Sequence, residues 1–173
     1  MGYPERSDEV AGLVAEVRRL ADRAAVANLA DRYLRSLDEG DFNEAQAHSI
    51  FTPDVTLSFP PGDHDGIAGV TEFTRGFMRH WAQTHHNVSH YLIDLEGDQA
   101  TVAWNVIAVH VHLGSPPPPV HSDHFYLGGR FDGMAVRTDC GWRLQHLALQ
   151  VVWTAGPGIP SIAAVMADAD KAD

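Results

Sequence analysis

Two apolar series open the chain. Val10, Leu13, Val14, Val17, Leu20 and Ala24 recur at intervals of three and four, and Val26, Leu29, Ala30, Tyr33 and Leu37 repeat that spacing on a shifted phase. The spacing predicts amphipathic helix. The shift predicts either one long helix with a break or kink near Asp22 to Ala25, or two helices in tandem. Asp38-Glu39-Gly40 ends the series, with the glycine as a stop signal. Asp41 then reads as the N-cap of a short second helix, and Glu44 three residues on completes a capping box. That helix is expected to run to about Phe51. Thr52-Pro53-Asp54 reads as a turn, Val55 to Phe59 as a strand, and Pro60 to Gly66 as a loop. Ile67, Val70, Phe73, Phe77 and Trp81 predict a third helix over 67–81.

Beyond Trp81 the period changes to two. Predicted strands cover Thr84 to Leu95, Ala100 to Leu113, His121 to Arg137 and Trp142 to Thr154, with Glu96-Gly97-Asp98 and Asp139-Cys140-Gly141 as hairpin turns. Gly114, Ser115 and the prolines Pro116 to Pro119 form a stiff loop. Gly128-Gly129 inside a strand marks a bulge. A short alanine-rich tail follows. The order predicts an α+β fold: a curved antiparallel sheet forming a cone-shaped half-barrel, closed by the N-terminal helices. The chain reads as one domain over 1–173, its core about 24–154, with a helical extension before it and a tail after it. Such a cone has a mouth, and its interior is a natural small-molecule pocket.

Composition narrows the function. The 173 residues are 45% apolar and 20% charged, as in globular proteins rather than disordered ones. Lysine and arginine number 12 against 23 acidic residues, a formal net charge of −11. That balance argues against nucleic acid and against anionic membrane surfaces as partners, since both require basic patches. A single cysteine, Cys140, allows no intrachain disulfide and no zinc finger. No apolar leader is visible between Met1 and Glu16, and a cytoplasmic location is expected. Cys140 sits in acidic company that disfavours a thiolate. No Gly-x-Ser-x-Gly elbow, dinucleotide fingerprint or P-loop is present.

The order and spacing of several short pieces resemble one family. They are Tyr33-x4-Asp38-x-Gly40-Asp41, Phe51-Thr52-Pro53-Asp54-Val55 and Gly66 before the third helix. Thr84-His85-His86 and Ile93-Asp94-Leu95-Glu96-Gly97-Asp98-x-Ala100 follow. The last are Gly128-Gly129-Arg130-Phe131-Asp132 and Gly141-Trp142-Arg143. Over about Ala24 to Trp153 the chain resembles the SnoaL-like branch of the nuclear transport factor 2-like superfamily. That group includes scytalone dehydratase, bile-acid dehydratases, a dehydrochlorinase, ketosteroid isomerase, polyketide cyclases and non-catalytic members. The pieces are more specific for the fold than for one reaction, because the fold hosts many. The resemblance implies that Asp38, at the end of the first long helix, pairs with His86 on a strand, and that Tyr33 assists. Where relatives place a further tyrosine on the first strand, this chain has Phe59. Relatives form dimers or trimers, so a homo-oligomer is implied.

The residues themselves allow this chemistry. A carboxylate beside an imidazole fixes the ring's tautomer and orientation and makes a general base. Proton removal next to a carbonyl leaves an enolate, for which the Tyr33 hydroxyl is a candidate donor. His110 is a candidate to protonate a leaving hydroxyl. Alternation does not settle which face of the Thr84–Leu95 strand is interior. The resemblance favours His86, Val88, His90 and Leu92, facing Trp104, Val106, Ala108 and His110 on the next strand. His90, His110, Trp104 and Phe59 are therefore candidate substrate contacts. Asp38, Tyr33 and His86 also have plain readings as helix-end and core residues, and Asp41 is read as a cap. His110-x-His112 has the spacing of a cupin metal pair but lacks the following carboxylate. His121 and His124 lie after the loop, where they could return near His112, but no metal or organic cofactor is expected. The reading is a cofactor-independent, dehydratase-like lyase or isomerase acting on a hydrophobic small molecule. The alternatives are a non-catalytic binding domain of the same fold, or the small subunit of a ring-hydroxylating oxygenase.

Overall fold

The computed structural model describes residues 4–60, 62–115 and 124–159, with side chains from residue 7. His121, the proline loop and the alanine-rich tail lie outside them. Helix α1 spans Pro4–Glu39, α2 Glu44–Ile50 and α3 Val70–Met78. Strands β1 (Phe51–Phe59), β2 (Gly62–Asp65), β3 (Trp81–Glu96), β4 (Gln99–His112), β5 (His124–Thr138) and β6 (Gly141–Ala155) form one six-stranded sheet, ordered β2-β1-β6-β5-β4-β3. β1 runs parallel to β6, and every other pairing is antiparallel. The sheet does not close into a barrel. Among the described residues no helix is long and apolar enough to cross a membrane.

The two apolar series belong to one unbroken helix, not to a kinked or divided one. The phase shift moves the apolar stripe around the helix without breaking it. Val26, Leu29, Ala30, Tyr33, Leu34 and Leu37 are buried, whereas residues 7–21 are exposed throughout. The helix stops at Gly40, whose left-handed φ of 68° suits glycine. Asn43, not Asp41, caps α2: its Oδ1 accepts the Gln46 N–H at 2.9 Å. Asp41 instead accepts from the Asn43 side chain, which orients the cap.

The third helix is shorter than its apolar spacing suggests. Gly66 and Gly69, both at φ 81°, delay its start. Trp81 pairs with His112, which makes it the first residue of β3 rather than the last of the helix. The predicted turn at Thr52 to Asp54 is part of β1, and the predicted loop contains β2. The Gly128-Gly129 bulge is present, as the β5–β6 register breaks between those residues. A Cβ on Gly129 would meet the Gln150 carbonyl at 2.7 Å, so the bulge needs the bare backbone.

α1 lies across the sheet, touching β3, β4 and β6. Polar ties fix it. The Asp22 carboxylate accepts both Arg137 Nη groups (2.8 and 2.6 Å) and Trp142 Nε1 (3.1 Å). Arg137 Nε also donates to Asp98 at 2.8 Å. Farther along, Arg23 donates to the Ile93 carbonyl and Tyr91 donates to Asp31. The Arg137 and Trp142 bonds hold the Asp22 carboxyl below its ordinary pKa. Asp22→Ala leaves the Trp142 indole N–H and the two Arg137 Nη groups without their acceptor, with Asp98 still holding Nε. It is expected to lower unfolding free energy by about 1–2 kcal/mol, read from urea denaturation.

Candidate active site

The last turn of α1 meets the start of β3. Asp38 Oδ1 accepts from His86 Nδ1 at 2.7 Å and from Thr84 Oγ1 at 2.8 Å, and Oδ2 accepts the His86 backbone N–H at 3.0 Å. Burial alone would raise the Asp38 carboxyl, but the His86 side chain and backbone and the Thr84 hydroxyl outweigh it and hold it below its ordinary value. An ionised carboxylate only accepts, so His86 Nδ1 is the donor, and in the neutral imidazole the lone pair is then on Nε2. The His86 side chain is 7% exposed, that of Asp38 24%.

His86 lines a cavity of about 80 Å³ at the open end of the cone. Tyr33 and Leu37 of α1, Phe73, Phe77 and Met78 of α3, and Phe59, Val106, Leu127 and Phe131 of the sheet supply most of the wall. Tyr33, Thr74, His86 and His110 bring the polar side chains, and among the described residues no lysine, arginine or carboxylate lines it. Asp38 itself opens onto a separate groove beside Arg75, Arg79 and Thr84. A cavity ligand therefore reaches the carboxylate only through the His86 ring.

Three aromatic rings hold Tyr33: Phe51 at 5.5 Å, Phe131 at 6.3 Å and Phe59 at 6.5 Å between centroids. Burial pushes its phenol well above the ordinary value, so it is a hydrogen-bond donor at neutral pH. Its hydroxyl has no hydrogen-bond partner among the described residues, which leaves it for a ligand. His110 stands 5.8 Å from His86, ring to ring. Burial first, and then the neighbouring His86, lower its pKa to about 4. The Phe125 backbone opposes this, yet His110 Nδ1 has no hydrogen bond of good geometry. His110 is thus a neutral imidazole.

Two candidate contacts fall elsewhere. The β3–β4 register slips between Ser89 and Leu92, and His90 sits in that bulge with a positive φ of 58°. The alternation inverts there. Thr84, His86 and Val88 point inward before the bulge, and Tyr91, Ile93 and Leu95 after it. His90 is exposed, its ring against Ser89 Oγ, and does not reach the cavity. Trp104 is buried, stacked on Phe131 at 5.0 Å, and so backs the wall without lining it. Phe59 and His110 do line it. His112 Nε2 instead donates to the Pro157 carbonyl at 2.8 Å. Among the described residues no group of three or more His, Cys, Asp or Glu could hold a metal. Thr84 escaped sequence reasoning. Its signal was its place two residues before His86, hence on the same strand face.

The unclosed six-stranded sheet, its N-terminal helices and the cavity between them define the protein class, a mixed α+β fold. The SnoaL-like domain profile matches residues 18–148, and the chain belongs to that family, within the nuclear transport factor 2-like superfamily. No curated protein matches it by sequence. Among solved structures it is similar to Kfla4162 from Kribbella flavida (23% identity, TM-score 0.70, covering 79% of this chain and 95% of that one). It is similar to a scytalone dehydratase-like protein from Novosphingobium aromaticivorans DSM 12444 (22%, 0.70, 82% and 91%). It is also similar to the hexachlorocyclohexane dehydrochlorinase LinA-type3 from Novosphingobium barchaimii LL02 (16%, 0.69, 83% and 95%). At these identities the likeness establishes the fold.

The buried His110 makes stability depend on pH. Its pKa is about 4 in the fold against an ordinary 6.5. Between those values the unfolded chain binds a proton that the folded chain refuses, so stability falls as pH drops from about 6.5 to 4. Urea midpoints at pH 7 and pH 4.5 are expected to differ by the equivalent of about 2–4 kcal/mol from this residue. His110→Gln is expected to flatten that slope.

Proposed function

We propose that the chain is a dehydratase-like lyase or isomerase that needs no cofactor, with His86 as general base on an uncharged hydrophobic small molecule. One observation carries this: three bonds fix Asp38 behind a histidine that lines a mainly apolar cavity. A helix-end or core role for Asp38 would require no such orientation of an imidazole toward empty space.

The steps follow from the positions. His86 Nε2 takes a proton from a carbon next to the substrate carbonyl, and Asp38 stabilises the resulting imidazolium without taking its proton. The electron pair moves onto the carbonyl oxygen, which the Tyr33 hydroxyl stabilises. In a dehydration the enolate then expels the β-hydroxyl. His110, as a neutral N–H donor, supports the departing oxygen, and the proton held by His86 completes the water. In an isomerisation the same proton returns to a different carbon. Phe59 offers no hydroxyl on its side of the cavity, which separates this site from chemistry that relies on a second tyrosine there.

The wall also selects the substrate. A carboxylate entering this cavity would lose its hydration and meet no cation. A neutral ligand is expected to bind at least about tenfold more tightly than its carboxylate analogue, a difference of about 1.4 kcal/mol, measured by calorimetry on matched aromatic pairs.

Turnover can be followed as enone absorbance with neutral β-hydroxy ketones as probes. Asp38→Asn and His86→Gln are expected to lower it by about 10²–10⁴-fold while leaving the far-ultraviolet circular dichroism unchanged. Full activity in either variant would rule out the dyad. Tight binding of neutral ligands with no turnover of any probe would favour the binding-domain reading.

A further inference from the structure

We propose that Thr74 contacts the ligand, as the second hydrogen-bond donor to the neutral oxygen that Tyr33 binds. The polar side chains of the main cavity are Tyr33, Thr74, His86 and His110. In the proposed reaction Tyr33, His86 and His110 each have a part, and Thr74 has none. The inference rests on that reaction for the origin of the oxygen, a substrate carbonyl, but not for whether the oxygen is held.

Val70, Thr74 and Met78 are spaced four and four, so they form one row along α3. Val70 is 2% exposed and Met78 8%. The row is apolar and buried at both ends, and an aliphatic side chain at its middle would continue it. The residue there is instead a β-branched alcohol, a poor helix former. A helical serine or threonine commonly turns its hydroxyl back to a carbonyl one turn earlier. Ser36 does so to the Tyr33 carbonyl (2.6 Å) and Ser49 to the Gln46 carbonyl (2.8 Å). Among the described residues the Thr74 hydroxyl has no hydrogen-bond partner.

A smaller cavity of about 20 Å³ lies between the three helices, with Ser36 of α1, Gln46 of α2 and Thr71 of α3 in its wall. Val70 lines this cavity and Met78 the main one. Among the described residues, Tyr33 and Thr74 alone line both. The boundary between an apolar chamber and a small polar one is thus framed by two hydroxyl side chains. Neither hydroxyl is bonded among the described residues. A hydroxyl withdrawn from water without a partner is costly, and two side by side call for a polar atom. One carbonyl oxygen satisfies both, because its two lone pairs accept two donors. Two donors on one oxygen also suit the charge that grows there as His86 takes the neighbouring proton. The ligand class is therefore an apolar, uncharged ketone or aldehyde whose carbonyl lies toward α3.

Acetophenone, with one oxygen, and ethylbenzene, its analogue without one, test the contact on the whole chain. Thr74→Val is expected to weaken acetophenone about three- to tenfold relative to ethylbenzene, read from chemical-shift titrations. Thr74→Ser is expected to keep the wild-type ratio. The carbonyl stretch of bound acetophenone is expected to move to higher frequency in Thr74→Val and in Tyr33→Phe. With β-hydroxy ketones, Thr74→Val is expected to lower kcat by about 10²-fold and to change KM little. A threonine that only packs would move both ligands together, so equal losses for acetophenone and ethylbenzene overturn the proposal. Acetophenone that fails to bind overturns it as well. If Tyr33→Phe moves the stretch and Thr74→Val does not, the contact is wrong and the catalytic reading stands. If both variants move the stretch while no β-hydroxy ketone is turned over, the catalytic reading is wrong and the contact stands.

Discussion

The Asp38 carboxylate is the joint on which the site depends. It gathers a strand hydroxyl, a strand backbone N–H and a ring N–H onto the last turn of α1. Each donor comes from β3, so one side chain both closes the helix onto the sheet and sets the His86 ring. These bonds favour the charged carboxylate strongly enough to overcome its partial burial. A neutral amide in the same place would keep the shape and change the tautomer logic, because an amide can donate as well as accept.

The rest of the cavity is arranged around that single charge. Asp38 stays on the groove side, and the cavity wall is apolar apart from Tyr33, Thr74, His86 and His110. Low polarity strengthens each hydrogen bond made there. It also explains why two histidines so close together differ in role. His86 has a carboxylate behind it, while His110 has burial and a neighbouring imidazole, and its proton affinity falls accordingly. Two copies of one residue type thus sit in different electrostatic surroundings a few ångströms apart.

Much of this was legible in the sequence. Helical spacing found α1, period two found β3 to β6, and the glycines at 40, 97 and 141 marked real ends and turns. Asp38 and His86 pair as the resemblance implied, and Tyr33, Phe59 and His110 line the cavity that His86 reaches. The failures have physical causes. Asp41 and Asn43 are both good caps, and only the backbone path decides which carboxyl or amide oxygen reaches the Gln46 N–H. Trp81 is apolar at helical spacing and equally suited to a strand, so its pairing with His112 decided it. Thr84 carried no signal as a residue type, since threonine is ordinary in strands.

His90 and the α1 phase shift share one cause: a period was extended through a point where the chain changes what it faces. On β3 the bulge inserts one residue, after which even positions turn outward and Tyr91, Ile93 and Leu95 take over the interior. Strict alternation from His86 necessarily placed His90 inside. On α1 the helix itself does not change, and only the second stripe is buried against the chain's own sheet, while the first is exposed. A kink would restore one face to both series, but the hydrogen-bonded helix runs through Asp22 to Ala25 unbroken. There the Arg137 and Trp142 bonds to Asp22 mark the boundary at which the body's hold on the helix begins. A shift of phase without a helix breaker is thus better read as a change of neighbour than as a change of direction.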